Sequence, residues 1–205
     1  HSFPTRRSSD LPDLLKQILD INIQSVAGYL NEQLRSGAQA LMIFDTWGGL
    51  LPDGWYQQIS LASMRQVITQ LPKEFNGQRV PIIIFTKGGG LWLEDMAEAG
   101  ADVIGLDWTM SLFKARQTLV QKNKAIALQG NLDPLALFAN PAQISAQAQK
   151  ILDDLYKAPP LKVGLHPLDG HIFNLGHGIS QFTNPESVTV LAKTVIEHSQ
   201  NLRKK

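Results

Sequence analysis

The stretch VPIIIFTKGGG, residues 80–90, decides the fold. Its apolar part, residues 80–85, is short, rich in isoleucine and without polar alternation, which is typical of a strand buried on both faces. The polar part, Thr86 and Lys87 followed by three glycines, indicates a loop at the carboxyl end of that strand. A strand of this kind belongs in a parallel sheet, so amphipathic helices are expected before and after it in the chain.

Similar apolar runs recur along the chain and alternate with amphipathic segments. The predicted strands cover residues 40–45, 80–85, 101–106, 124–128 and 171–175. Apolar residues at helical spacing predict helices over residues 14–34, 57–71, 91–99, 112–120, 141–155 and 185–196. The alternation predicts an α/β fold with a parallel sheet, and it fits a (β/α)8 barrel as well as a five-stranded doubly wound sheet.

Two local signals refine this pattern. Asn140 and Asn184 each precede a proline, which is typical of an N-cap followed by the first residue of a helix. The turn-rich residues 157–170 (KAPPLKVGLHPLDG) are predicted to form a surface connection.

The composition of the chain excludes several classes of protein. The chain has 205 residues, of which 43% are hydrophobic, a size that suits one domain or a large part of one. It contains no cysteine, which excludes disulfides and thiolate zinc sites. Its 19 basic and 18 acidic residues give a net charge of +1, which offers no bulk attraction to nucleic acid. No apolar run approaches the roughly 18 residues of a membrane span, so we expect a soluble, cytoplasmic protein.

Residues 1–11 (HSFPTRRSSDL) carry neither a helical nor a strand period. They resemble the translation of a sequencing-library adapter, and they lack the apolar core of a secretory signal. We therefore predict a non-native tail over residues 1–11 and assign the domain to residues 12–205.

Polar side chains stand at the predicted carboxyl ends of all five strands, where parallel α/β folds bind ligands. They are Asp45, Thr46, Lys87, Asp107, Trp108, Asn131, Asp133, Asn174 and His177. Because parallel strands end at one edge of the sheet, these residues form the candidate site.

Most of these residues have a structural interpretation beside the functional one. Asp45 and Thr46 either bind a ligand or cap their own loop through hydrogen bonds to the backbone. Lys87 before three glycines indicates either an anion site or a tight turn, and it does not fit a P-loop because the lysine precedes the glycines. Asp107 is interpreted as a hydrogen-bonded loop carboxylate, and residues 131–134 as a turn that starts a helix.

His177 is the strongest single candidate. The glycines on both sides expose its imidazole, and histidine titrates near neutral pH. A zinc site shared with His171 is excluded, since six residues of extended strand separate the two by roughly 20 Å and no cysteine is present to complete the ligands.

Five motifs occur in a fixed order along the chain. They are FDTWGG (residues 44–49), FTKGGG (85–90), GLDW (105–108), LQGNLDP (128–134) and FNLGHGI (173–179). Together they resemble the bacterial uroporphyrinogen decarboxylase family over about residues 12–205. The resemblance implies a (β/α)8 TIM barrel, of which the five predicted strands are the last five.

The resemblance also implies an activity. Members of this family convert the four acetate side chains of uroporphyrinogen III to methyl groups, giving coproporphyrinogen III and CO2 in haem biosynthesis, as homodimers without a metal or organic cofactor. By motif position, Thr46 matches a substrate-binding hydroxyl and His177 a substrate-contacting histidine, and both are expected to hydrogen-bond substrate carboxylates. Lys87 is a further candidate anion contact that does not come from the resemblance.

The chain departs from the family pattern at the amino-terminal side. The family motif of the type Met-Arg-Gln-Ala-Gly-Arg, an aspartate in a Phe-Ser-Asp context and a tyrosine from a later loop are absent. We therefore expect an N-terminally truncated barrel that is poorly soluble and inactive by itself, and we assign no catalytic residue.

Two other functions remain open. A cobamide-dependent methyltransferase shares the barrel, but it binds zinc through cysteine and histidine, and this chain has no cysteine. A non-catalytic fragment that binds porphyrinogen is the second alternative.

Overall fold

The computed structural model of the protein describes residues 12–205 and shows an α/β fold around a five-stranded parallel sheet. The strands are β1 (Leu41–Asp45), β2 (Glu74–Phe75), β3 (Gln78–Arg79), β4 (Ile82–Thr86), β5 (Val103–Gly105), β6 (Ala127–Leu132) and β7 (His171–Leu175). The helices are α1 (Pro12–Arg35), α2 (Ala62–Thr69), α3 (Leu93–Ala97), α4 (Leu112–Gln121), α5 (Pro141–Tyr156) and α6 (Pro185–Leu202). The predicted non-native tail, residues 1–11, lies outside the described residues.

The order of the strands places the helices. The parallel sheet has the order β1-β4-β5-β6-β7, and β2 and β3 form a separate hairpin. Within the parallel sheet, the order of the strands in space is therefore their order along the chain, without the reversal that defines a doubly wound sheet. Because crossovers between parallel strands are right-handed, a steady order puts every connecting helix on the same face of the sheet. None of these helices, in the part of the chain that the structure describes, is long and apolar enough to cross a membrane.

The two faces of the sheet differ accordingly. Ile43, Ile84, Ile104 and Leu128 lie side by side in register, and all four are buried on the helix-covered face. The residues one position further along each strand form a second row, which lies on the opposite, open face of the sheet. At the two ends of this row, Phe44 is 61% exposed and Ile172 is 45% exposed. The sheet is therefore sealed on one side only.

Most predicted elements are confirmed, with shifted ends. Asn140 and Asn184 cap α5 and α6, since their side-chain oxygens each accept a hydrogen bond at 3.0 Å, from the backbone N–H groups of Gln143 and Glu186. The helix predicted over residues 57–71 begins instead as a π-helix at Tyr56–Leu61 and continues as α2. The segment predicted as a helix over residues 91–99 is a 3₁₀ turn, Gly89–Trp92, followed by the short α3.

The prediction for the fourth strand was wrong at both ends. The expected strand at residues 124–128 is β6, Ala127–Leu132, so Asn131 and Leu132 are strand rather than turn. Lys124 lies in the turn that follows α4, where its N–H donates to Leu119 O at 2.8 Å. Asn131 is tolerated inside a strand because its amide donates to two backbone carbonyls, Asp107 O at 2.8 Å and Met110 O at 2.5 Å.

The small hairpin formed by β2 and β3 was not predicted, although a signal for it exists. Asn76 and Gly77 stand between the paired strands with φ values of 51° and 74°. An Asn-Gly pair with both φ angles positive is the preferred turn of a two-residue hairpin.

A buried arginine fixes the connection that precedes β7. The Arg116 side chain is completely buried, and its guanidinium donates to Asp169 O and Gly170 O, both at 3.0 Å. Burial lowers the pKa of Arg116. The irregular residues 157–170 thus end on a fixed anchor, while Val163 near their middle is fully exposed.

Replacing this arginine tests the anchor. We expect Arg116→Met to lower the free energy of unfolding by about 2–4 kcal/mol, because two partly buried carbonyl groups lose their charged donor. Urea denaturation of the purified chain measures the change. The matched control is Lys114→Met, since Lys114 is an exposed basic residue of the same helix, and its effect should stay within about 0.5 kcal/mol. Equal effects of the two substitutions would contradict the role of Arg116.

Candidate functional site

The carboxyl ends of β1 and β4 bring Thr46 and Lys87 side by side. Asp45 pairs with Thr86 in the last register position of the two strands, and the Lys87 N–H continues the ladder by donating to Asp45 O at 3.1 Å. The next residues along each strand, Thr46 and Lys87, are therefore neighbours at this edge.

In the structure, Asp45 follows the structural interpretation, whereas Thr46 remains a candidate for ligand binding. Asp45 caps its own loop, because its Oδ1 accepts from the N–H groups of Trp47 at 3.1 Å and Gly48 at 2.7 Å. Its other oxygen accepts from the Ser60 hydroxyl. The Thr46 hydroxyl makes no hydrogen bond within residues 12–205, so it is available to a ligand while Asp45 is not.

Lys87 begins a tight turn and still presents its ammonium group. Gly88 has φ +75°, and a Cβ at Gly49 would lie 1.9 Å from Lys87 O, so the two loops touch backbone to backbone. The exposed Lys87 Nζ lies 5.7 Å from the centroid of the Trp108 ring, a cation–π distance. Within the described residues it has no carboxylate within 4 Å.

Asp107 is a hydrogen-bonded loop carboxylate, as predicted. It is 3% exposed, its Oδ2 accepts from Gly88 N–H, and its Oδ1 accepts from Thr109 N–H at 2.8 Å and from the Thr109 hydroxyl at 2.5 Å. Because the Gly88 amide is used here, the glycines after Lys87 do not offer that N–H to an anion. The Lys87 side chain is the charged donor that this turn offers to an anion.

Two further candidates have structural roles. Asp133 starts a 3₁₀ turn, Pro134–Phe138, with its Oδ1 accepting from Leu135 N–H at 2.9 Å. Asn174 is exposed on β7, and its Oδ1 accepts from Leu175 N–H at 2.8 Å. Neither is held toward Thr46 or Lys87 by a contact in the structure.

His177 follows β7 and lies against the end of β4. The centroid of its ring is 6.0 Å from that of Phe85, which in turn lies 5.5 Å from that of Phe44. The glycine before it is required, because a Cβ at Gly176 would lie 2.7 Å from Trp108 N. The β7 loop thus packs directly on the backbone of the β5 loop and carries the imidazole to the Phe85 ring.

Phe44 and Phe85 were missed as site residues, although the sequence holds a signal for them. Each phenylalanine stands two positions before a candidate binding residue, in Phe44-Asp45-Thr46 and in Phe85-Thr86-Lys87. Residues two apart on a strand face the same side of the sheet. These two aromatic rings therefore form an apolar floor below the polar strand ends.

A second buried aromatic pair supports β4 from the helix-covered face. The Tyr56 ring stacks on Trp92 with centroids 4.2 Å apart, and its hydroxyl shares a hydrogen bond with Thr86 Oγ1 at 3.0 Å. Burial raises the pKa of Tyr56 to about 12, so the hydroxyl stays neutral near physiological pH. Thr86 directly precedes Lys87, and the pair fixes the strand end from which that lysine projects.

His171 and His177 stand at opposite ends of β7 and do not act together. His171 Nε2 lies 2.9 Å from Gly130 O, and burial lowers the pKa of His171 to about 4. Within residues 12–205, no group of three histidine, aspartate or glutamate side chains is placed to hold a metal ion.

The arrangement is suited to binding a carboxylated ring. A hydroxyl, an ammonium group and an imidazole follow strands whose ends carry aromatic side chains, while both Asp45 and Asp107 are occupied by hydrogen bonds of their own. Carboxylates are recognised by such donors, most strongly by charged ones, and flat apolar rings pack on aromatic faces.

Comparison with known proteins gives one consistent family. A family model described as uroporphyrinogen decarboxylase (URO-D) matches residues 9–198. Proteins named uroporphyrinogen decarboxylase from Paraburkholderia phytofirmans and Burkholderia thailandensis are 54% and 55% identical over 192 residues, which cover 94% of this chain and 49% of each relative. The chain therefore spans about half the length of the curated relatives it matches.

A solved structure shows the same fold. A methyltransferase from Methanosarcina mazei superimposes with a TM-score of 0.74 over 94% of this chain and 52% of that chain. The sequence identity is 21%, so this likeness concerns the fold alone.

The two glycines beside His177 allow a matched test of the loop packing. We expect Gly176→Ala to lower the free energy of unfolding by about 1–3 kcal/mol through overpacking and to shift the fluorescence of Trp108. Gly178→Ala is the control, because nothing lies within 4 Å of its Cβ position. Thermal unfolding and tryptophan emission measure both variants, and equal behaviour would show that the β7 loop does not pack on Trp108.

The buried imidazole of His171 predicts a loss of stability in acid. The unfolded chain takes up a proton on this ring below about pH 6.5, whereas the folded chain does so only near pH 4. Stability is therefore lost as the pH falls from about 6.5 through 4. Between pH 7 and 4.5, we expect the wild-type chain to lose about 2–3 kcal/mol more than His171→Gln. Urea denaturation at the two pH values measures the difference, and parallel losses would contradict the prediction.

Proposed function

Because the chain belongs to the uroporphyrinogen decarboxylase family, we propose that the complete protein converts the acetate side chains of uroporphyrinogen III to methyl groups, releasing CO2 and giving coproporphyrinogen III. The observation that carries this proposal is the set of donors at the strand ends, Thr46, Lys87 and His177, around the Phe44 and Phe85 rings. The substrate has the matching chemistry, since it combines pyrrole rings with eight carboxylates.

We further propose that residues 12–205 supply the last five βα units of a (β/α)8 barrel. The steady strand order supports this, because a barrel is built from successive neighbouring strands with all helices outside. Within the described residues, β1 pairs only with β4 and β7 only with β6, so each has a free edge. The exposed Phe44 and Ile172 stand on the open face that further strands would enclose.

In the proposed reaction, the described residues bind the substrate. The bond between the acetate methylene and its carboxylate breaks, its electron pair forms a C=C bond to the protonated pyrrole ring, and CO2 leaves. The methylene carbon then takes up a proton and the ring loses its added proton, which leaves a methyl group on the pyrrole. Thr46 and His177 hydrogen-bond substrate carboxylates, and Lys87 adds a full positive charge beside them. Fixed donors of this kind orient the substrate before its charge is redistributed.

The assembly of the complete protein is part of the proposal. We infer a homodimer, as the family resemblance implies, and light scattering of the complete protein distinguishes it from a monomer. The other barrel function, a cobamide-dependent methyltransferase, would show one tightly bound zinc ion per chain in the purified complete protein. A fragment that only binds porphyrinogen would bind uroporphyrin, the oxidised octacarboxylate, but release no CO2.

The proposed roles of His177 and Thr46 are tested in the complete protein. We expect His177→Ala and Thr46→Val each to lower kcat/KM for uroporphyrinogen III by about tenfold to a hundredfold, because each removes a hydrogen bond to a charged group. His177→Ala should also release partly decarboxylated products. Chromatography of the products and the rate of CO2 release measure both effects.

His198 provides the control for these variants. It lies near the carboxyl end of α6 and pairs with Asp153 at 2.7 Å, so His198→Ala removes an imidazole without touching the site. Unchanged kinetics and products in His177→Ala would remove this residue from the site, and a wild-type complete protein without decarboxylation would overturn the proposed function.

A further inference from the structure

Asp107 contacts the loops that follow β4, β5 and β7, and it also contacts strand β6. Its carboxylate accepts from Gly88 N–H, in the loop after β4, and from both donors of Thr109, in its own loop after β5. Its backbone oxygen accepts from the Asn131 amide of β6 at 2.8 Å. The loop after β7 packs on the same residue, because a Cβ at Gly176 would lie 3.0 Å from Asp107 Cα.

These contacts connect Asp107 to the two charged or titratable candidates of the site. Gly88 directly follows Lys87, and Gly176 directly precedes His177. Trp108, the next residue after Asp107, carries the ring over which the Lys87 ammonium lies. Asp107 thus contacts the backbone beside Lys87 through its carboxylate and the backbone beside His177 through its own main chain.

The carboxylate is suited to this task by its burial and its partners. Asp107 is 3% exposed and forms no ion pair within the described residues, so both of its oxygens are committed to N–H and O–H donors of the loops. An asparagine would turn an NH2 group toward one of these donors, because only one of its two terminal atoms accepts. The hydrogen bonds between these loops therefore require an aspartate at this position.

We propose that Asp107 is a positioning residue for the carboxylate-binding site: it sets Lys87, and with it Trp108 and His177, where they meet the substrate. The proposal rests on the proposed function, since it assigns to Asp107 an effect on substrate binding that is exerted through Lys87. Loss of the hydrogen bonds that the Asp107 carboxylate accepts should raise KM more than it changes kcat, because the loops still form but the Lys87 ammonium is no longer held in place.

A matched pair of substitutions separates positioning from stability. Asp102, at the opposite end of β5, also accepts a backbone N–H of the neighbouring strand, that of Ile82 at 2.9 Å, and pairs with Arg79. Asp107→Asn and Asp102→Asn therefore remove the same kind of interaction at the two ends of the sheet. We expect Asp107→Asn to raise KM for uroporphyrinogen III by about tenfold, the effect of one charge-assisted hydrogen bond, and Asp102→Asn to leave KM unchanged.

A double-mutant cycle with Lys87→Met tests whether Asp107 acts through the lysine. Lys87→Met alone should raise KM by about tenfold, and adding Asp107→Asn should then raise it by less than about threefold, since the positioned group is already gone. Effects that multiply in the double variant, or an Asp107→Asn variant with the KM of Asp102→Asn, would overturn the proposal.

A binding measurement distinguishes failure of the proposed role of Asp107 from failure of the proposed decarboxylase function. The same four variants of the complete protein are titrated with uroporphyrin, and Kd is read from tryptophan quenching. A wild-type protein that binds uroporphyrin without decarboxylating uroporphyrinogen overturns only the proposed function, and the cycle is then scored on Kd with the same expected ratios. A wild-type protein that binds neither compound overturns both proposals.

Discussion

The parallel register of the sheet is the constraint on which the rest of this structure depends. Since the five strands of this sheet are all parallel, their carboxyl ends meet at one edge, and residues from distant parts of the sequence become neighbours there. Thr46 and Lys87 are 41 positions apart in the sequence, and they still stand opposite each other just past the ends of two adjacent strands. A shift of one residue in β4 would turn Phe85 toward the helices and remove the contact with the His177 ring.

The same register leaves one face of the parallel sheet without a helix layer. The row that contains Phe85 and Gly105 ends in two exposed apolar side chains, Phe44 and Ile172, and both outer strands keep unpaired backbone groups within the described residues. Apolar side chains beside free strand edges favour association. The open face and the two free edges are therefore the parts of residues 12–205 at which association with further strands is expected.

Much of this could be predicted from the sequence, because the signals are local. Apolar runs located all five strands of the parallel sheet, and Asn140 and Asn184 marked the starts of α5 and α6. The end of β6 was missed because Asn131 is a polar residue whose place in a strand depends on carbonyl groups that only the folded chain brings near. In the same way, the sequence indicated a loop carboxylate at Asp107, but its contacts with three loops and with β6 exist only in the folded chain.

The fixed base of the connection before β7 has a practical consequence. Arg116 fixes Asp169 and Gly170 from within the core, so a change at the exposed tip near Val163 should not shift the strand that follows, β7. This tip lies at the amino-terminal end of the sheet, whereas the candidate site lies at the carboxyl end. A fluorophore, an affinity peptide or a surface-attachment group inserted at residues 163–164 would report on the molecule, or immobilise it, with the ligand-binding edge left free.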